Sequence, residues 1–499
     1  MTPQPDRVRR GQSRLPGHLR HLCHLWLAVL ATPLAAQEPE PLTLERAIAV
    51  GLAQGDQARA AASARDASRW RNRAFYSRRL PQLTLGGVVP AYNRSIIEVL
   101  QDDGTTLFLP QNQTNATLTA TLSQQLPLTG GELYFSSSLA RLSVSGQQSF
   151  ERYSSTPFEV GIRQSIFRPN TAEWDHREEA VRGDLAERQF LEAREEIALG
   201  IAERFFDVYA ARVALENATR NAAVNDSLFL LNKGRFEVGR IGENDLLQSE
   251  LALLRSRTQL ENTRLEYDRT AAALRLALNL PADAPVDVAA TGVVPEFEAD
   301  TARAVAEALK NRASVAEVSL QEVQARRRVS EAKYAQGLGA TINASYGYNA
   351  VGGGLRSAYQ DVLEARQFTL AVEMPLWNWG SRKESIRAAE ADRDRTASLA
   401  RTTIRQTQQD AHFAALQLSQ ARRSLVLSAK ADTVAIKRFE VAYNRYVIGR
   451  ISIDNLFIAQ NEKDQARTQY VVALRAYWQA HYRLRRLTLF DFATGQVIQ

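Results

Sequence analysis

Hydrophobic positions along this chain switch between helical spacing and strict alternation, and they do so twice. Residues 41–53, PLTLERAIAVGLA, carry helical spacing, with Thr43 placed as N-cap and Arg46 one turn in. A second helix is expected over 56–79, ended by Leu80-Pro81. The period then becomes two. Over 115–126, Ala116, Leu118, Ala120 and Leu122 alternate with Thr117, Thr119, Thr121 and Ser123, the mark of a strand with one apolar and one polar face. Phe158, Val160 and Ile162 alternate likewise with Glu159, Gly161 and Arg163. Residues 83–91 and 133–144 are weaker strand candidates, Thr129-Gly130-Gly131 is a turn joining two strands, and Gln101-Asp102-Asp103-Gly104 is a polar loop. From 171 to 236 there is no proline and only three glycines, and Ile197, Ile201, Phe205 and Val208 return to 3–4 spacing. Some 60 helical residues would extend on the order of 90 Å, which points to a coiled coil.

The second half repeats the plan. Helices are expected over 301–310 and 312–336. Ala340, Ile342, Ala344 and Tyr346 alternate with Thr341, Asn343 and Ser345, and Phe368, Leu370, Val372 and Met374 mark a further strand. Between the strands, Gly352-Gly353-Gly354 reads as a flexible outer loop, and a long helical stretch follows over 381–446. The two long helical stretches break at related sequences: RFEVGRIGENDLLQ from Arg235, and RYVIGRISIDNLFI from Arg445, 210 positions later. Arg235/Arg445, Gly239/Gly449, Arg240/Arg450, Ile241/Ile451 and Leu246/Leu456 are identical pairs. After the first turn, Leu246, Leu253, Leu260, Tyr267 and Leu274 lie seven apart; the same register after the second holds Leu456, Lys463, Tyr470, Tyr477 and Leu484. A sustained sevenfold repeat specifies left-handed supercoiling.

The expected organisation is therefore a leader over 1–36 and a first repeat over 37–280, with strands in 82–168 and a helical hairpin over 171–280. A linker over 281–300 contains three prolines and a short strand at Val286 to Val288. The second repeat covers 301–490, with a β-hairpin in 338–377 and a helical hairpin over 381–490, and 491–499 is a tail. The fold class is mixed but mainly α.

Composition narrows the function. The 499 residues are 45% hydrophobic. Arg7, Arg9, Arg10, Arg14 and Arg20, the apolar run from Leu22 to Leu30 and Leu34-Ala35-Ala36 have the order of a secretory signal peptide. That segment holds five arginines and one aspartate, so +4 of the formal +7 leaves with it, and the remainder does not suggest nucleic acid. Cys23, the single cysteine, leaves too. Of the later residues, His176, His412 and His481 lack metal-ligand spacing, and no nucleophile elbow or phosphate loop occurs. No enzyme activity and no cofactor are expected. No later apolar run reaches the length of a membrane-crossing helix, which leaves a soluble exported protein or a β-barrel.

Strands of about 10 to 13 residues suit a tilted bilayer crossing. Phe75, Tyr76, Phe167, Trp174, Trp377 and Trp379 gather where strands meet helices, as an interfacial girdle would, although isolated aromatics more often belong to a core. Four to six strands close no barrel around a lumen. Open edges do not persist in lipid, so other copies of the chain must complete it.

The twice-repeated plan, the two turn sequences, and PQLTLGG and MPLWNWGSR at the strand ends resemble the TolC-like outer-membrane efflux family. The resemblance covers roughly 42–490. It implies a homotrimer whose strands form one barrel in outer-membrane lipid and whose helices form a periplasmic tunnel. Such a trimer would be an exit duct fed by a periplasmic adaptor (membrane fusion) protein and an inner-membrane pump of RND or ABC type, in tripartite efflux or type I secretion. It also implies that Gly239, Arg240, Gly449 and Arg450 lie at the adaptor-docking end. Asn244, Asp245, Tyr446, Asp454 and Asn455 would then line the constriction, with Tyr446 helping to hold the closed state. Arginine replaces the family's common leucine after each glycine, and Ile458 replaces an acidic position. The plainer roles are a left-handed turn for the glycines and complementing the helix dipole for Asp245 and Asp454. An exported coiled-coil scaffold without transport activity is the alternative. About 88 residues separate Pro81 from Pro169, against about 40 in the second half; an added hairpin fits the excess. It leaves open a barrel of the usual twelve strands or of eighteen.

Overall fold

The structure is a computed structural model that describes residues 41–146, 149–289, 294–295 and 297–498. The expected signal segment, 1–36, lies outside the described residues.

Helix lengths recur in order. Helices α1 (Leu44–Gln54) and α5 (Thr301–Asn311) have 11 residues each, and α2 (Asp56–Arg78) and α6 (Ala313–Ala335) have 23. Helices α3 (Thr171–Glu237) and α7 (Ser381–Val447) have 67, and α4 (Glu243–Leu278) and α8 (Ile453–Thr488) have 36. Helix α3 packs along α4, α7 along α8, and α3 also meets α8. The sevenfold positions form these seams: Leu253, Leu274, Leu456, Tyr477 and Leu484 are buried, and the other members of the two series are half-buried. Each seam lies within one chain.

The Thr43 hydroxyl accepts from Arg46 N at 3.3 Å, capping α1. The expected strand in the linker is a single parallel bridge, Leu42 with Val288, held by Leu42 N to Asp287 O at 2.6 Å and Ala289 N to Leu42 O at 3.1 Å. The core gathers α1, α3, α4, α5, α7 and α8 around Phe205, Phe206, Leu274, Leu474 and Tyr477. His481 is buried in this core beside Phe297, Tyr477, Trp478 and Tyr482. Burial first, then the nearby Arg485 guanidinium, push its imidazole pKa down to about 4. Arg485 itself pairs with Glu195 at 3.0 Å and Asp491 at 3.1 Å.

Six strands form one antiparallel sheet in sequence order: β1 (Gln82–Leu100), β2 (Thr106–Gln125), β3 (Glu132–Ser145), β4 (Phe150–Ile166), β5 (Gly339–Gly352) and β6 (Leu363–Glu373). A two-stranded sheet, β7 (Phe490–Asp491) with β8 (Gln496–Val497), closes the C-terminal end. The expected strand length of 10 to 13 residues needs correction. Strands β1 and β2 have 19 and 20 residues, because their hairpin continues outward past Asn112–Ser145, the last pair of β2 with β3. The glycine turn after β2 is tied to the helices by Asn170. Its Nδ2 donates to Pro127 O at 2.8 Å while its Oδ1 accepts from Glu173 N to cap α3.

Candidate functional site

Two features stand apart from ordinary core packing: a sheet with two chemically distinct faces, and a pair of matched helical turns.

The pairing register lays one apolar row across the sheet, Leu83–Leu122–Phe135–Val160–Tyr346, from β1 to β5. On the same face, Ala344 pairs with Phe368, and Ile342 with Leu370. The adjacent row on the opposite face is Thr84–Thr121–Ser136–Glu159–Gly347, continued by Ser345 with Gln367 and Asn343 with Thr369. Period-2 alternation in six strands thus sums to one hydrocarbon face and one hydroxyl- and amide-rich face. The apolar face is left open: Leu83, Leu85, Phe368 and Leu370 are all exposed. A water-facing sheet would not leave such a face uncovered, whereas a barrel wall in lipid has this character. Toward its outer end the face carries Arg366, whose guanidinium lies 5.8 Å from the Tyr346 ring and bonds Glu364. Among the described residues no helix is long and apolar enough to cross a membrane.

The six junction aromatics sit where the sheet passes into helices. Phe75 and Tyr76 are on the last turns of α2, with ring centroids 5.3 Å apart. Phe167 follows β4, and Trp174 lies in the first turn of α3 under Arg177. Trp377 and Trp379 precede α7, edge to face at 5.4 Å and largely exposed.

Each turn ends its helix in a Schellman motif. Gly239 N donates to Phe236 O at 2.8 Å and Arg240 N to Arg235 O at 2.8 Å; Gly449 N donates to Tyr446 O and Arg450 N to Arg445 O, both at 2.9 Å. The glycines have φ of +71° and +76°, the left-handed region that the motif requires. In this motif the residue after glycine often makes an apolar contact with the helix. Here it is arginine in both turns, and Arg240 and Arg450 are exposed.

The two turns touch each other. Arg235 Nη2 donates to Val447 O at 2.8 Å, satisfying a terminal carbonyl of α7, and its guanidinium lies 5.3 Å from the Tyr446 ring. Tyr446 is buried, with its hydroxyl on Asn232, among Leu228, Ile453 and Leu456. Of the proposed constriction residues, Asp454 Oδ1 accepts from Gln248 Nε2 at 2.6 Å, a second tie between the hairpins, and Asn455 Nδ2 donates to Ser452 Oγ at 3.1 Å. Asn244 is exposed and Asp245 half-buried in the first turn of α4. Tyr446 therefore sits inside a single chain's packing, while Asn244 remains open.

One feature went unread in the sequence. Leu399, Phe413, Leu427, Val434, Val441 and Ile448 are spaced by seven or fourteen along α7 and its cap, and each is between 52% and 73% exposed. That stripe has the spacing of a coiled-coil seam and, among the described residues, is left uncovered. Gln406 and Gln420 interrupt it, which hides it from a search for unbroken repeats.

Among the described residues no cluster of three or more His, Cys, Asp or Glu has the geometry to hold a metal ion. A depression near the core, lined by Phe297, Leu418, Arg422 and Tyr477, is an open surface groove.

Residues 304–488 match the family model described as "Outer membrane efflux protein". No curated protein matches the sequence. Solved structures of similar fold include the CmeC outer membrane channel of Campylobacter jejuni, with TM-score 0.64 and 13% identity over 91% of this chain and 86% of that one. The outer membrane protein VceC of Vibrio cholerae has TM-score 0.63 and 14% identity, covering 91% and 97%. The open-state MtrE outer membrane channel of Neisseria gonorrhoeae has TM-score 0.62 and 14% identity, covering 91% and 89%. At these identities the likeness is one of fold.

Proposed function

We propose that this TolC-like outer-membrane efflux protein is the exit duct of a tripartite efflux or type I secretion machine. It resides in the outer membrane, with its long helices in the periplasm. The observation that carries the reading is the two-faced sheet: an exposed hydrocarbon face suits lipid, and the hydroxyl-rich face suits a water-filled lumen. An exported scaffold has no use for such a sheet.

A six-stranded sheet with two free edges is not a barrel, and the α7 stripe is an unused seam. Both are satisfied by a homotrimer, in which three sheets form one wall and the stripe packs on a neighbouring copy. The duct performs no chemistry. Energy comes from an inner-membrane pump, RND or ABC in type, and a periplasmic adaptor joins pump to duct. The paired turns are the docking end. Arg240 and Arg450 present six guanidinium groups per trimer to the adaptor, and Asn244, Asp245, Asp454 and Asn455 lie beside the constriction. The junction aromatics anchor the periplasmic side of the barrel at the lipid boundary.

Membrane fractionation followed by gel electrophoresis with and without heating tests this. The expected result is a trimer in the outer-membrane fraction that becomes a monomer on boiling. A soluble monomer would overturn the reading.

A further inference from the structure

We propose that the β1–β2 hairpin is part of the membrane wall, so that three copies close an eighteen-strand barrel in which β1 of each copy pairs with β6 of the next. The inference rests on the trimeric duct reading above.

The first ground is continuity of the two faces. A hairpin folded outside the wall has no reason to match the alternation of the strands beside it. Yet Leu83 and Leu85 of β1 lie on the face of Phe135 and Val160, and Thr84 lies on the face of Ser136 and Glu159. The register is unbroken from β2 into β3, with Leu118 opposite Leu139 and Leu122 opposite Phe135. Side chains Leu83, Leu85 and Val89 are among the most exposed apolar groups of the sheet, which is tolerable in lipid and costly in water.

The second ground is the edges. Strand order is sequential, so among the described residues β1 and β6 are the two edge strands of this sheet. Strand β1 runs away from the helices and β6 returns toward them, because α2 precedes the first and α7 follows the second. Side by side in neighbouring copies they are antiparallel, as closure of an all-antiparallel barrel requires. Both edges carry the same alternation: Leu83, Thr84 and Leu85 on one, Leu370, Thr369 and Phe368 on the other. Three six-stranded sheets joined in this way make eighteen strands and leave no edge.

The consequence is a wider duct. Diameter grows roughly linearly with strand number, so eighteen strands give about 1.5 times the width of twelve. The inner rows are mainly Thr, Ser, Asn and Gly, and Arg163 is neutralised by Glu132 at 3.1 Å. This outer barrel therefore selects chiefly by size, with the Glu159 carboxylate of each copy, which accepts from Ser136 Oγ at 3.0 Å, adding negative charge to the same face.

Cysteine cross-linking separates the possibilities, because Cys23 is the chain's only cysteine and is replaced by serine in the starting protein. Leu85→Cys is combined in one chain with Phe368→Cys, Leu370→Cys or Val372→Cys in turn, since all four positions share a face and the inter-copy register is scanned. After mild oxidation of outer membranes and boiling, at least one combination is expected to give a ladder ending at three chains. Disulfide formation demands Cβ atoms within about 4.5 Å, so only true neighbours react. The comparison series replaces Leu85→Cys by Phe135→Cys on β3. If the hairpin lies outside a twelve-strand wall, β3 becomes the edge, and the ladder appears in this series instead. That result would overturn the proposal. Should a pair not assemble, Leu83→Cys with Val372→Cys supplies the same contact. Absence of any heat-sensitive trimer in the unaltered protein would remove the duct reading itself, a result distinct from a β3–β6 ladder in an intact trimer.

Discussion

Tyr446 Oη donates to Asn232 Oδ1 at 2.6 Å, joining the end of α7 to the end of α3 within one chain. The bond is buried, and Asn232 Nδ2 has no partner of its own. Tyr446→Phe would strand the amide oxygen as well. Loss of such a buried bond costs about 1–3 kcal/mol. The two hairpins should loosen at the turns, and basal conductance of the purified protein in planar bilayers should rise. Unchanged conductance would exclude a role in the closed state.

The positive φ of Gly239 and Gly449 sets a second expectation. Gly239→Ala or Gly449→Ala should cost roughly 1–2 kcal/mol, the usual penalty for a side chain in the left-handed region. Thermal melting of the trimer measures it. Gly239→Pro, by contrast, removes the N–H that bonds Phe236 O and should abolish export.

Arg240 and Arg450 make few demands on the fold, since both are exposed at the turns. Charge reversal, Arg240→Glu or Arg450→Glu, should stop export while heat-sensitive trimers still assemble. Normal export by both reversed proteins would show that adaptor docking lies elsewhere.

Adjacent residues of β6 should respond in opposite ways. Leu370 is on the hydrocarbon face and Thr369 on the hydroxyl-rich face. Leu370→Lys should destabilise the membrane-inserted protein by about 2–4 kcal/mol near mid-bilayer. Thr369→Lys should leave trimer yield near normal and alter ion selectivity. Equal loss of trimer in both would contradict the assignment of faces.

The α7 stripe predicts a separate defect. Leu427→Asp with Val434→Asp puts two charges in the unused seam, and the trimer should dissociate at a lower temperature. The monomer's own core, which does not include these side chains, should be intact by circular dichroism.

His481 makes stability depend on pH. Its pKa falls from 6.5 to about 4 in the fold, so between those values the unfolded chain binds the proton and the folded chain does not. The full contribution is present above about pH 6.5 and is lost as pH falls toward 4. The span corresponds to about 3 kcal/mol per chain. Melting between pH 7 and 4.5 should show the decline, and His481→Phe should flatten it.

How much of this was visible beforehand follows from where each property resides. The two Schellman turns could be read directly, because a glycine that must be left-handed and the arginine and leucine around it repeat within fourteen residues. The seams of α4 and α8 were equally clear, since a heptad is a local pattern that names its own buried face. The alternation at Leu118 and Thr119 announced a two-faced strand for the same reason. Residues 92–100 of β1 were missed because Ser95-Ile96-Ile97-Glu98 has no period of two.

Sequence alone therefore determined the mainly helical class, the helix breaks and the two chemistries of the strands. Only the tertiary structure decided that six strands form one sheet in chain order, that Gln248 engages Asp454, and that Asn232 receives Tyr446. Periodicity is written in neighbouring residues and survives without a fold. A contact between positions more than two hundred residues apart exists only after two helices have been brought together, and no local pattern carries it.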